Sequence, residues 1–261
     1  MRYALVDGRA QEAKPHLRGT CRFCERLVVP KCGERRVWHW AHQRGHFCDE
    51  WWEKETEWHR DWKGQFPPEW QEYIQHSSSG ERHIADVKTD DGWVLEFQHS
   101  PINPEERRTR DAFYCPKLVW VVNGLRRKTD LVQFERAWQE SRPINPKVPS
   151  MRILFAHDVR LLREWVGSDA QVFIDFGAER GLWWLLSSSQ NGSVYVVRLS
   201  RAEFIEVHRC TSTQKAHDFD SLVRQAKKFL DKFDSRRHTQ ALIIHTANFG
   251  RRTAGRRRFR L

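Results

Sequence analysis

The stretch HIADVKTDDGWVLEFQHS, residues 83–100, constrains the chain more than any other. Ile84, Val87, Trp93, Val94, Leu95 and Phe97 favour extended backbone. Asp90-Asp91-Gly92 fits a three-residue hairpin loop, with Gly92 taking the left-handed position. That loop fixes the register. Lys88 then faces Val94, Val87 faces Leu95, and Asp86 faces Glu96. Gln98 joins the same face, because side chains alternate along a strand. A two-residue Asp91-Gly92 loop would instead set Asp86 opposite Phe97 and scatter the three polar groups.

Two facing carboxylates repel when both are ionised. A divalent cation removes the conflict: Mg²⁺, or Mn²⁺ in its place, is held by one or two carboxylates plus phosphate oxygens. The other reading is a solvated polar face on an edge hairpin. The segment WWEKETEWHRDWK, within a helix expected over 49–64, adds weight to the first. Glu55 and His59 are four residues apart there, and Trp51, Trp58 and Trp62 form an apolar stripe beside them.

Upstream, CRFC at 21–24 is a Cys-x2-Cys pair and HWAH at 39–42 a His-x2-His pair. Thiolates and imidazoles at such spacing suit a tetrahedral structural Zn²⁺. Cys21 and Cys24 are the firm ligands; His39, His42 and Cys48 compete for the remaining two places. Cys32 and His46 stand behind these. Cys115 and Cys210 are isolated and read as packed small side chains.

Across its 261 residues the chain carries 45 Lys and Arg against 34 Asp and Glu, a net +11 that favours a polyanionic partner such as nucleic acid. No run is long and apolar enough for a membrane span, and the N-terminus lacks a secretory pattern. A cytoplasmic protein with reduced thiols is expected.

Five regions follow. Residues 1–48 form the Cys/His module. Residues 49–140 alternate helix and strand: a helix near 49–64, the hairpin, a helix near 104–114, a strand at 117–122 and a helix near 127–140. SRPINPKVPS, 141–150, is a connector. Residues 151–249 hold antiparallel strands at 171–177, 181–189, 193–200 and 202–210, then an amphipathic helix over 219–233. Asp175 reads as a turn-edge carboxylate. Residues 250–261 form a basic tail with Arg251, Arg252, Arg256, Arg257 and Arg258, suited to phosphate.

The Cys-x2-Cys and HWAH module, then ETEWH, HIADV, LEFQHSPI, an Arg-rich helix with Tyr114, and LVWVVNG together resemble the competence protein CoiA-like family. That family belongs to the PD-(D/E)XK nuclease superfamily. The likeness runs from about residue 18 to 124. It implies an αβββαβ nuclease core; with the zinc-binding module and the C-terminal antiparallel β-rich region, helix and basic tail read above, an α+β protein is expected. The resemblance further implies a Mg²⁺-dependent DNA nuclease, with Glu55 as helix acid and Asp86 and Glu96 as metal ligands. Gln98 stands where the superfamily often has Lys. Gln orients only by hydrogen bonds, so positive charge must come from elsewhere. Arg107, Arg108 and Arg110 on the next helix are candidates, with solvated surface as the bland reading. His59 would orient Glu55 or touch phosphate. An accessory DNA-binding protein without cleavage, and an RNA-directed protein, stay open.

Overall fold

The computed structural model describes residues 1–43, 48–145, 148–189, 192–209 and 218–235. It divides into two units, 1–212 and 213–261. The described part of the second unit is one helix over 219–235, matching the expected amphipathic segment. His46, Cys210 and the tail arginines lie outside the described residues. Among the described residues no helix is long and apolar enough to cross a membrane.

The first unit is α+β and contains two sheets. The smaller has five strands in the order β2-β1-β3-β4-β5. β1 (Tyr3–Val6) and β2 (Arg9–Glu12) are joined by Asp7-Gly8, both at positive φ, the turn that matches strand twist. β3 (Gly19–Thr20), β4 (Leu27–Lys31) and β5 (His39–His42) complete it. Its apolar core is small: Ala4, Val6, Ala13, Phe23, Val28 and Trp40, with Cys21.

The larger sheet has nine strands, ordered β10-β11-β14-β13-β12-β9-β8-β7-β6. β6 (Gln71–His76), β7 (Arg82–Lys88) and β8 (Val94–Gln98) run antiparallel. β9 (Leu118–Asn123) is parallel to β8, and β12 (Gln171–Asp175) is parallel to β9. β13 (Leu182–Ser189), β14 (Ser193–Leu199), β11 (Val148–Phe155) and β10 (Pro143–Asn145) extend the antiparallel far side. The C-terminal strands thus continue the sheet of the preceding segment, and the expected 141–150 connector carries β10 and the start of β11.

Helices cover both faces. α1 (Glu57–Gly64) and α5 (Arg201–Arg209) share one face, where Trp62 stacks on Phe97 and Phe204 packs on Trp62 and Phe173. α2 (Pro104–Tyr114), α3 (Lys128–Glu140) and α4 (Arg160–Trp165) share the other, around Trp120, Phe134, Trp165 and Trp183. Asp175 does more than edge a turn. It is 1% exposed and accepts the indole N–H groups of Trp58 and Trp62 at 2.8 and 2.9 Å, together with the Arg201 guanidinium. It ties α1 and α5 to the end of β12.

Two expected elements differ. The 49–64 helix begins only at Glu57, because Thr56 caps it. The Thr56 hydroxyl accepts the His59 N–H and the His59 ring accepts the Thr56 N–H, a reciprocal box. The expected strand at 202–210 is α5. Ser200 and Glu203 form the same kind of box: Ser200 N–H donates to the Glu203 carboxylate, and Glu203 N–H to the Ser200 hydroxyl. Phe204 and His208 then face the core one turn apart.

Candidate functional site

The hairpin register is the three-residue one. Val87 pairs with Leu95 and Lys88 with Val94, Thr89 N–H bonds to Trp93 O at 2.9 Å, and Gly92 sits at φ +82°. The recorded ladder stops there, one pair short of Asp86 and Glu96. At that point side chains replace backbone carbonyls. Asp86 N–H donates to Glu96 Oε1 at 3.3 Å, and Phe97 N–H donates to Asp86 Oδ2 at 3.0 Å. The two carboxylates are therefore crossed over one opening between the strands. Asp86 is partly exposed, while Glu96 is 5% exposed. Burial first, and then the Asp86 charge, push the Glu96 carboxyl up to about 8 against the pull of Arg110.

Glu55 lies ahead of the α1 cap and not on the helix, so it does not pair with His59. It turns to Lys63 Nζ, 2.9 Å away, with Arg60 Nε at 3.4 Å. Burial opposes its charge, but Lys63, the N-terminal ammonium and Arg60 together hold the Glu55 carboxyl down at about 2. Lys63 is the candidate-site residue that sequence reasoning missed. It is 4% exposed, and its ammonium also lies 3.4 Å from Glu72 and 3.8 Å from Asp86. Burial alone would depress its pKa; the three carboxylates raise it instead. The signal was available: His59 and Lys63 are four apart on α1, and both face inward. Glu72 belongs to this cluster too. At a left-handed φ of +49° it accepts the backbone N–H groups of Arg2 and Tyr3, fastening the small sheet to β6.

Gln98 is held by a second set of contacts. Its amide nitrogen donates to Glu53 Oε2 at 3.2 Å and to Ser100 O at 2.9 Å. Both acceptors fix the amide orientation, so the remaining capacity of Gln98 is its oxygen, an acceptor. His59 Nε2 lies 3.4 Å from the same Glu53. Burial would raise the Glu53 carboxyl, but His59 and the Ser100 bonds together lower it. His59 therefore serves Glu53 and the helix cap.

The arginines divide. Arg110 is 6% exposed and points inward, 3.3 Å from Glu96 and bonded to Trp51 O and Glu106. It supplies charge to the patch as an internal partner. Arg107 is 8% exposed and donates to Glu164 O beside the Trp165 ring, away from the carboxylates. Arg108 is exposed. Of the three arginines expected to supply charge, Arg110 is the one that lies against a carboxylate of the patch.

The Cys/His cluster is tighter. Ligand atoms of Cys21, Cys24, His42 and Cys48 all lie within 4.8 Å of one another. Cys21 and Cys48 sulfurs are 3.7 Å apart, and Cys24 Sγ is 3.2 Å from His42 Nε2. Two sulfurs each ~2.3 Å from a tetrahedral centre stand ~3.8 Å apart, so the spacing fits a metal and not a disulfide. The knuckle is shaped by its backbone: Phe23 N–H points to Cys21 Sγ, and Glu25 takes a left-handed φ of +60°. The contact with Cys48 lowers the Cys21 thiol to about 5. The cluster could hold a zinc ion. His39 is not in it; its ring bonds Val37 O at 2.8 Å. Residues 39 and 42 are an odd step apart on β5 and so face opposite ways. Cys32 packs against the small core, and Cys115 is a single thiol pushed up to about 12 by burial.

Comparison with protein-family models, with curated proteins and with solved structures finds no match to this chain.

Proposed function

We propose that the protein is a divalent-cation-dependent DNA nuclease with a PD-(D/E)XK-type core. The observation that carries this reading is the crossed pair Asp86 and Glu96 beside a buried lysine. The segment order α1-β6-β7-β8-α2-β9, with β8 parallel to β9, supports it. Asp86 and Glu96 would hold Mg²⁺ or Mn²⁺; two carboxylates suffice when phosphate and water complete the shell. The donor set suits a cation: two carboxylates meet at one opening, with Arg110 beside Glu96 and Lys63 beside Asp86. A bound cation would activate water and stabilise charge on the attacked phosphate.

The other roles belong to the chain. Lys63 supplies from α1 the positive charge that Gln98 cannot give from β8. Glu55 and Glu72 hold that ammonium in place, so Glu55 acts on the site through Lys63. Gln98, with its nitrogen engaged by Glu53 and Ser100, offers its oxygen to orient the attacking water. Arg110 steadies Glu96. The Cys21, Cys24, His42 and Cys48 cluster would carry structural Zn²⁺, and reduced thiols suit a cytoplasmic protein.

One observation favours a second reading, an accessory DNA-binding protein without cleavage. Lys63 is already shared among three carboxylates, which leaves little charge to spare. Incubation with plasmid, linear single- and double-stranded DNA and RNA, in Mg²⁺, Mn²⁺ or EDTA, separates the readings. Metal-dependent cutting of DNA that is lost in Asp86→Ala and in Glu96→Ala supports the nuclease. Binding without cutting across all metals and substrates supports the accessory protein.

A further inference from the structure

Beside the carboxylate opening lies a larger cavity of about 1230 Å³. Asp49, Trp52 and Ile84 line both, so the two are contiguous. Part of its wall is the end of β4 and the loop that follows, where Lys31, Arg35 and Arg36 are exposed beside the acid Glu34. His42 and Cys48 of the metal cluster form another part of the wall. Trp52 is 45% exposed where the cavity meets the carboxylates. Indoles usually bury most of their surface. A half-exposed indole beside three cations supplies the elements of a stacking platform in a basic groove.

We propose that this cavity takes an unpaired stretch of nucleic acid and leads it to the carboxylates, with one base stacked on Trp52 and phosphates on Lys31, Arg35 and Arg36. A duplex keeps its base faces inside and offers only backbone and groove edges. An exposed indole in a concave, cationic site is therefore matched to a single strand. The role of the carboxylates at the end of this path rests on the nuclease reading; the binding of the strand does not.

The test is fluorescence anisotropy on the full chain, with Ca²⁺ replacing Mg²⁺ to hold back cleavage. The probes are labelled oligo(dT), oligo(U) and a DNA duplex of equal length. Oligo(dT) binds at least tenfold tighter than the duplex. Trp52→Ala weakens oligo(dT) binding roughly tenfold, the effect of losing one base stack, and Trp52→Phe keeps most of it. The pair Arg35→Ala and Arg36→Ala lowers the slope of log K against log salt by about 1.4, two contacts on a single strand. Equal melting temperature and zinc content show that the variants are folded. Equally tight oligo(U) binding also supports the proposal and extends the strand to RNA. Duplex bound as tightly as oligo(dT), or no loss in Trp52→Ala, overturns it. Strand binding through Trp52 without cleavage sinks the nuclease and leaves the groove. Cleavage unaffected by Trp52→Ala, with no loss of binding, does the reverse.

Discussion

Replacing Lys63 with methionine removes the one ammonium that three carboxylates share. Its Nζ lies 2.9 Å from Glu55, 3.4 Å from Glu72 and 3.8 Å from Asp86, and the side chain is almost wholly buried. The depression of Glu55 from 4.5 to about 2 corresponds to about 3 kcal/mol of net favourable charge interaction, with Lys63 the largest attractive part. Breaking a buried pair by deleting one partner costs about 3–5 kcal/mol, because the orphaned charge stays buried. Lys63→Met is therefore expected to lose that much in urea denaturation at pH 7. The sign with pH follows from Glu55. Its lowered pKa contributes stability that is full above about 4.5 and lost as pH falls towards 2. In Lys63→Met the orphaned carboxyl takes up a proton more readily, so the deficit against wild type shrinks as pH falls from 7 to 5. Adding Glu55→Gln should recover part of the loss, a coupling of about 2 kcal/mol in the double-mutant cycle. A Lys63→Met variant within about 1 kcal/mol of wild type, or strictly additive costs in the cycle, would refute the reasoning.

Three other outcomes are expected. Elemental analysis of protein never exposed to chelator should give about one zinc per chain; Cys21→Ser, Cys48→Ser and His42→Ala should lose it, and His39→Ala should keep it, so metal loss in His39→Ala would move the ligand set. His208 is fully buried and depressed to about 4, by burial against its bond to Phe204 O. Its neutral form thus contributes stability that is full above pH 6.5 and falls by about 3 kcal/mol as pH drops to 4; His208→Phe should flatten that part of the stability curve, and an unchanged curve would count against it. Deleting residues 251–261 should weaken DNA binding and reduce its salt slope, since each phosphate contact adds to that slope; an equal slope would make the tail a bystander.

Local chemistry carried the legible part of the fold. Asp90-Asp91-Gly92 dictated the hairpin register, and the helix expected near 104–114 is α2, capped by the Asn103 side chain, which accepts Glu105 N–H. Cys-x2-Cys pointed to the metal cluster. The misread elements had local signals as well. Thr56-x-x-His59 and Ser200-x-x-Glu203 are capping boxes that outweigh helical or strand-like runs around them. His39, His42 and Cys48 compete in the sequence for two places; alternation along the strand β5 turns His39 away from the cluster and leaves His42 and Cys48. Other features are not local. β9 and β12 pair in parallel across α3, β10, β11 and α4, and no spacing rule announces that partner. A buried Lys63 is not legible from residue type, because lysine is almost never buried unless paired. Its three partners come from three places: Glu55 before α1, Glu72 on β6 and Asp86 on β7.

The central claim is that Asp86 and Glu96 form a divalent-cation site that serves phosphodiester cleavage. Electron paramagnetic resonance of Mn²⁺ titrated into the zinc-loaded protein, with and without an oligonucleotide, reads that site most directly. One Mn²⁺ per chain is expected, displaced by Mg²⁺ and tightened by the oligonucleotide, and no such site in the Asp86→Asn, Glu96→Gln variant that keeps its zinc. Mn²⁺ bound equally by that variant, or absent from the wild type even with oligonucleotide present, would contradict it.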